Sequence, residues 1–519
     1  MHPLAKLDHA HVWHPFTQMR DWLAREPIVI VECKGAVLRD AHGREYLDAN
    51  SSIWTNLHGH NHPKINSAIQ RQLKKIAHSS ALGLANEPAS LLAARLVRAA
   101  NGIYDSQFTI YDSKGKAARQ SSIVNRNLEK VFFSDNGSTA LEVALKLAYE
   151  FTRRTRGKQV GRASSRAAQP KFLSLEGAYH GDTVGAVSLG HIDLFHKAYA
   201  GLLFKTDKVM SPYCYRCPFN RAHPERADAR TYRKCNWECV SQVEQTFSAQ
   251  KTKKNPYAAF VFEPAMQGAA GMIPQPETWL KRVSEIARGH GALLIADEVM
   301  TGFGRTGIVA ADVRRLISKK HKRLEPSHVG CCDGNLFACQ HEDVQPDFLC
   351  LAKGMTGGYL PMAATLTTQT VFDAFLGEYH EFKTFFHGHS YTGNQLGAAA
   401  ALASFEILQS QKSIRARQQL ETVLRDELKS LWQLPNVGDI RQAGLIAGIE
   451  LVKDWRTRES FDLRERAGIR VCEAMGRRGV LTRPVGNVIV LMPPYCTTRA
   501  QLGKIIAALR ESILETFGK

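Results

Sequence analysis

Residues 347–362 read DFLCLAKGMTGGYLPM, and the fold and chemistry of the chain follow from that stretch. Phe348, Leu349, Cys350, Leu351 and Ala352 form a short apolar run that stops at Lys353, with Gly354, Gly357 and Gly358 just beyond. The run predicts a buried strand and the glycines a tight turn in which backbone approaches a ligand closely. A lysine at the mouth of a buried strand is costly unless its amine is neutral or bonded. Desolvation lowers an amine's pKa and makes it a nucleophile towards carbonyls. Taken alone, the same residue also fits a strand-ending lysine that simply reaches solvent.

Upstream residues decide between those two. Residues 131–133 (VFF) predict a strand that turns through Ser134–Ser138 into a helix, with Leu141, Ala144, Leu145 and Ala148 on one face. Such a strand–turn–helix aims unpaired amides at the turn, so Gly137 and Ser138 form a candidate anion site. Residues 257–263 (YAAFVFE) and 291–297 (GALLIAD) are further apolar runs, each ending in an acid: Glu263 and Asp297. Residues 171–175 add another strand, followed by Tyr179 and His180 between glycines. Strands that alternate with helices and carry their polar residue at the C-terminal tip predict a mostly parallel sheet with its ligand along that edge.

The chain has 519 residues, 44% of them hydrophobic, so a large domain with a second unit is expected. It carries no secretion leader pattern and no apolar run long enough to cross a bilayer, which points to a cytoplasmic protein without a membrane partner. Eleven cysteines without a leader favour reduced thiols. The net charge of +19 raises the question of nucleic acid. Much of the excess sits at 153–171 and 314–323, which lack interleaved aromatics, so a solvated basic surface is expected and no nucleic-acid partner. Cys214, Cys217, Cys235 and Cys239 form two close pairs around a basic segment, a spacing open to structural zinc or to reduced thiols. No metal is expected in the active site.

Asp297, Lys353, the Gly137–Ser138 turn and Tyr179 together suit a phosphate-bearing aldehyde with a ring nitrogen, pyridoxal 5′-phosphate. Lys353 would bond to the aldehyde, Asp297 to the ring nitrogen, and Gly137 and Ser138 to the phosphate. Tyr179 would stack on the ring, with Glu263 anchoring its neighbours.

Residues 295–307 (IADEVMTGFGRTG) followed by 347–358 (DFLCLAKGMTGG) resemble the signature of the class III, subgroup II, aminotransferases of PLP fold type I. The motifs at 13–19 (WHPFTQM), 51–63 (SSIWTNLHGHNHP), 177–183 (GAYHGDT), 385–397 (FFHGHSYTGNQLG) and 482–495 (TRPVGNVIVLMPPY) narrow the resemblance to its biotin-pathway branch. It implies an α/β fold. A large PLP-binding domain at 52–410 would have its sheet flanked by helices and carry insertions near 102–129, 152–170 and 309–337. A smaller α+β domain would draw on both termini, with an N-terminal arm and part of that domain in 1–51 and the rest in 411–519.

The resemblance further implies a homodimer with shared active sites and small-molecule substrates. His389 and Ser390 would reach the partner's cofactor phosphate. Arg483 would hold the substrate's far carboxylate, Trp54 and Gly388 would line the slot, and Tyr179 and Asp182 would share the pocket. The implied reaction transfers an amino group to 8-amino-7-oxononanoate, giving 7,8-diaminononanoate. Phe16 stands where the family commonly has Tyr, and Ile53-Trp54 where it commonly has paired tryptophans. Both positions bear on the amino donor: S-adenosylmethionine by convention, lysine in a branch that shares the 385–397 loop. Transfer by another class III enzyme between ω-amino acids or diamines is a further alternative. An inactive scaffold on the same fold is a second, against which intact Lys353 and Asp297 argue.

Overall fold

The computed structural model describes residues 1–102, 127–156, 169–221, 233–307 and 335–518. Much of the three expected insertions, together with Cys331 and Cys332, lies outside the described residues.

A seven-stranded sheet runs in the order Leu128–Ser134, Ala363–Thr368, Phe348–Leu351, Leu293–Asp297, Ala259–Phe262, Phe172–Leu175, Asp207–Val209. The last five strands of that order pair in parallel, while Ala363–Thr368 lies antiparallel to both its neighbours. The sheet is therefore mostly parallel, as expected, around one reversed strand. Every residue of Phe172–Leu175, Ala259–Phe262 and Phe348–Leu351 is buried. Continuous apolar runs are what a parallel sheet covered on both faces requires.

Alternation along each strand sorts the side chains into two cores. Phe260, Phe262, Leu294, Ala296, Leu349 and Leu351 join the larger cluster, with Trp279 and Val283 of the helix Trp279–Gly289. Val261, Ile295, Phe348 and Cys350 face the other way and meet Leu141, Ala144, Leu145 and Ala148 of the helix Gly137–Arg156. That helix stops one turn further along than the sequence suggested, so 152–156 belong to it and not to an insertion. Leu336 and Phe337 are also core residues, 2% and 1% exposed, and not the end of a surface insertion. Leu128 opens a strand and is fully buried, which likewise trims the first insertion.

A second, antiparallel sheet is built from Val437–Ala443, Ile446–Leu451, Val488–Leu491 and Pro484–Val485. The helices Ala467–Arg477 and Arg499–Phe517 pack on each other beside it. Near the N-terminus, Ile30–Lys34, Val37–Asp40 and Glu45–Asp48 make an antiparallel meander. Val480–Leu481 extends that meander in parallel, Val480 opposite Leu47, so the two ends of the chain are hydrogen-bonded together. Among the described residues no helix is long and apolar enough to cross a membrane.

The register that matters most pairs Asp297 with Cys350. Two neighbouring parallel strands thus end side by side, one in an acid and the other, at Leu351, two residues short of Lys353.

Candidate active site

Beyond the C-terminal ends of those strands lies a cavity of about 410 Å³. It is lined by Trp54, Gly137, Ser138, Tyr179, Glu263, Asp297 and Lys353, among others. Seven residues singled out from sequence are therefore brought to one place from six separate segments.

Lys353 follows the strand in a left-handed backbone conformation, φ +41°, and opens a single 3₁₀ turn, Lys353–Thr356. A non-glycine residue held there is strained, which is tolerated where surrounding structure fixes it for a purpose. Its Nζ lies 4.5 Å from the centroid of the Trp54 ring. Burial pushes the amine's pKa below the ordinary lysine value, and the Asp297 and Glu263 carboxylates restrain that fall. The result is an amine that gives up its proton more readily than a surface lysine.

Asp297 is 6% exposed and its two oxygens have separate donors. Oδ1 accepts from the amide of Val299 at 3.0 Å, and Oδ2 lies 2.7 Å from Nδ1 of His180. Glu263 accepts from the amides of Gly268, at 2.8 Å, and Tyr179, at 3.4 Å. Burial raises its carboxyl to about 7, with Asp297 adding to the rise and His180 and the two amides opposing it.

The phenol of Tyr179 donates to Asp182 Oδ2 at 2.7 Å, and the amide of Asp182 donates to Ser138 Oγ at 3.1 Å. Burial, together with the bond to Asp182, pushes the phenol's pKa up, so Tyr179 stays protonated. Gly181 between them has φ +124°, and a Cβ there would stand 2.1 Å from Ser138 Oγ. Only glycine lets the 179–182 segment lie this close to the turn before the helix. At that turn Asn136 Oδ1 accepts from Thr139 N at 3.0 Å, capping the helix while the amides of Gly137 and Ser138 stay in its first turn.

Other expected residues are not in the cavity of a single chain. Gly388 and Ser390 are exposed; the Ser390 carbonyl accepts from His78 Nε2 at 2.8 Å. His389 is half-buried, its Nδ1 3.0 Å from Asp135 Oδ2. Arg483 is exposed between Val480–Leu481 and Pro484–Val485. Its neighbour Val485 packs in the cluster that holds Trp54 and Met300. Phe16 is 59% exposed and meets Phe195 edge to face at 5.4 Å, and Phe195 in turn meets Tyr179 at 6.2 Å. Asp182 touches the site through Tyr179 without lining the cavity. Met300 had not been singled out. His180 was legible as the neighbour of Tyr179 in 177–183, read with it as an aromatic face for a flat ligand, but its bond to Asp297 was not.

Cys214, Cys217, Cys235 and Cys239 carry free thiols, and burial pushes Cys214 up to about 12 and Cys239 up to about 11. Among the described residues no group of three or more His, Cys, Asp or Glu is placed to hold a metal.

The sequence matches the family model described as aminotransferase class-III over residues 20–314 and 329–513. The chain belongs to the class III aminotransferases. It is 42% identical over 506 residues to adenosylmethionine-8-amino-7-oxononanoate aminotransferase of Geobacter sulfurreducens, covering 98% of this chain and 96% of that one. The enzyme of that name from Aquifex aeolicus is 40% identical over 99% of this chain and 97% of its own. Among solved structures, the enzyme of that name from Methanocaldococcus jannaschii superposes with a TM-score of 0.79 at 36% identity, covering 99% of this chain and 98% of that one. An amine transaminase from an uncultivated Pseudomonas species, in its PLP-bound form, gives 0.77 at 29%, covering 97% and 98%. The expected fold, PLP fold type I, is thereby established, and class III aminotransferases depend on pyridoxal phosphate. The cavity suits that cofactor: an amine of lowered pKa, a buried carboxylate and a helix's first amides stand around one space.

Glu263 yields a prediction. A carboxyl whose folded pKa lies above its unfolded value destabilises the fold progressively as pH rises from about 4.5 to about 7, and by a constant amount above that. Glu263→Gln removes this dependence. Relative to the parent, the variant should therefore gain up to about 3 kcal/mol across that window. Chemical denaturation at pH 4.5, 6 and 8 measures it; a difference that is flat in pH contradicts the assignment.

Proposed function

We infer that this transaminase acts in biotin biosynthesis, moving an amino group onto 8-amino-7-oxononanoate to give 7,8-diaminononanoate, with S-adenosylmethionine as donor. The observation that carries the reading is near-full-length identity of 40–42% to enzymes of that name, on a chain that keeps Lys353, Asp297 and the Gly137–Ser138 turn around one cavity.

Pyridoxal phosphate supplies, when bound, an electrophilic aldehyde and an electron-withdrawing ring. Lys353 is the residue that bonds to it. With the donor bound, Lys353 Nζ would take the proton from the donor carbon as general base and deliver it to the cofactor's aldehyde carbon as general acid. Its lowered pKa favours that exchange over what a surface lysine allows. Asp297 holds the ring nitrogen, Tyr179 covers the ring face, and the amides of Gly137 and Ser138 take the phosphate at the positive end of a 20-residue helix. Glu263, bonded to the Tyr179 and Gly268 amides, fixes the walls on either side.

Trp54 and Met300 form the apolar part of the slot, and Arg483, two residues before Val485 of the Trp54 cluster, takes the keto acid's carboxylate in bidentate fashion. Phe16 closes the outer end through Phe195 and Tyr179. Gly388 leaves room for the substrate chain. Asp182 acts on the same pocket through the Tyr179 phenol, which donates to it.

The enzyme works as a homodimer in the cytoplasm, with His389 and Ser390 of each subunit reaching the other's phosphate. Two loops, tied by Asn86 Nδ2 to the Gly393 carbonyl at 3.1 Å and by His78 to Ser390, support this. They expose Leu82, Leu84, Phe386 and Tyr391 at 90%, 61%, 72% and 63%, an apolar face suited to a second copy. Lysine is the alternative donor, favoured by Phe16, which offers no hydroxyl at the outer end of the slot.

The test is purified enzyme with 8-amino-7-oxononanoate and either S-adenosylmethionine or lysine, reading 7,8-diaminononanoate by mass spectrometry. Product with S-adenosylmethionine is expected. Product with lysine alone moves the donor, and none with either, beside turnover of a simple diamine with pyruvate, overturns the substrate. Arg483→Ala should raise KM for the keto acid about 10- to 100-fold, the worth of hydrogen bonds to a charged group. A KM unchanged within twofold removes Arg483 from the slot.

A further inference from the structure

We propose that Asp48 and His60 are positioning residues for the reaction: together they hold the strained segment that sets the Trp54 indole against the amine of Lys353. The proposal rests on the reading of Lys353 and Trp54 given above.

The strain lies in the backbone. Ser51, Ser52 and Trp54 have left-handed φ values of +48°, +61° and +67°, with no glycine among them. Such conformations persist only where the surroundings over-determine them, and they cluster where a side chain must be aimed. Here the aimed side chain is Trp54, whose ring centroid lies 4.5 Å from Lys353 Nζ.

What holds the segment is Asp48, the last residue of Glu45–Asp48 and 2% exposed. Its Oδ1 accepts from the amides of Asn50 and Ser52, both at 3.1 Å, and its Oδ2 from the Ser52 amide at 2.9 Å. Asn50 carries the hold to the indole, its Oδ1 accepting from Trp54 Nε1 at 2.9 Å.

His60 fixes the carboxylate from another side, with Nε2 2.8 Å from Asp48 Oδ2. A carboxylate only accepts, so Nε2 carries the hydrogen, and in the neutral ring Nδ1 is an acceptor. It takes a bond from Asn56 Nδ2 at 3.3 Å, while Asn56 Oδ1 accepts from Thr55 Oγ1 at 2.8 Å. Each donor in this chain faces an acceptor. Asn56 in turn lies against the turn beyond Lys353, where a Cβ on Gly358 would stand 2.7 Å from Asn56 Oδ1. These contacts close a ring from Lys353 through Gly358, Asn56, His60, Asp48 and Asn50 to Trp54, and so back to the amine.

The fold fixes the ring from outside. The amide of His60 donates to the Gly35 carbonyl at 2.8 Å, and the Gly35 amide donates to the His60 carbonyl at 2.9 Å. Gly59, φ +80°, passes so near that a Cβ there would stand 2.7 Å from the Gly35 oxygen. Asp48 sits opposite Leu481, where the two ends of the chain join. An aspartate that only capped the 50–52 turn would need no imidazole; the His60 bond adds the direction that sets the carboxylate's plane.

The experiment follows Trp54 itself. Protein carrying 5-fluorotryptophan is read by ¹⁹F NMR without cofactor, the Trp54 line being assigned by its loss in Trp54→Phe. In the parent that line should be sharp and shift less between H₂O and D₂O than the line of Trp13, which is 87% exposed. Asp48→Ala should broaden or move it and bring its solvent shift up to that of Trp13, and His60→Leu should do so in part. Asp48→Asn keeps an acceptor and His60→Gln a donor, so each should lie nearer the parent. In turnover, Asp48→Ala should raise KM for the keto acid about tenfold, the worth of a hydrogen bond to a charged group, with kcat changed far less. A Trp54 line in Asp48→Ala that matches the parent's overturns the proposal, as do Ala and Asn variants alike in both line and KM. Trp54→Ala is run alongside. If its KM equals the parent's, the Trp54 assignment falls and this proposal with it; a raised KM there beside a silent Asp48→Ala overturns this proposal alone. Should Asp48→Ala not fold, His60→Leu and the parent decide: a parent Trp54 line with the full solvent shift of Trp13, or one that His60→Leu leaves unmoved, contradicts the proposal.

Discussion

Parallel pairing of Leu293–Asp297 with Phe348–Leu351 is the constraint on which the site depends. In parallel strands both C-terminal ends point the same way, so the polar residue that terminates each apolar run emerges at one edge. Asp297 opposite Cys350 leaves Lys353 one turn further out, across the same opening. A shift of one residue in that register would send Asp297 to the opposite face of the sheet and a core residue to its place. The alternate split of Val261, Ile295 and Cys350 from Phe262, Ala296 and Leu351 into two separate cores makes such a slip expensive. Packing of residues with no chemical role thereby fixes the residues that have one.

Electrostatics follow from the same burial. Asp297, Glu263, His180 and Lys353 share a desolvated space, so each group's ionisation depends on the others. Burial works against a charged lysine, while the two carboxylates work for it; the amine comes out lowered. Glu263 is driven towards neutrality and His180 towards charge. The chain holds an amine ready to exchange protons and a carboxylate whose two oxygens are already oriented, before any ligand enters. Such preorganisation is what allows fixed dipoles to act without reorganising during reaction.

Much of this was legible in the sequence because strand tips advertise themselves. An apolar run that ends in Asp297 or Lys353 states both its burial and its edge, and a turn entering a helix at Gly137 states its amides. The convergence of Trp54, Tyr179 and Glu263 on the same cavity followed from the motifs. His180 was legible beside Tyr179 but not as the partner of Asp297, because its direction is set by the backbone at Gly181, a contact with Ser138 forty-three residues earlier in the chain. Leu336 and Phe337 read as the tail of an insertion, since nothing in a polar, basic neighbourhood signals that two apolar residues return to the core. Ala363–Thr368 escaped notice because its run AATLTT has little hydrophobic contrast, yet it is buried throughout between two partners. Motifs named Phe16, His389, Ser390 and Arg483, but a motif gives no position, and these four stand outside the single-chain cavity.

The central claim is that the amine of Lys353 faces the cofactor's aldehyde across from Asp297. Borohydride reduction of the cofactor-loaded enzyme, followed by digestion and mass spectrometry, tests it most directly. The account predicts one pyridoxyl adduct per chain, on the peptide that contains Lys353. An adduct on another lysine, or none on a chain shown to hold its full complement of cofactor, contradicts it.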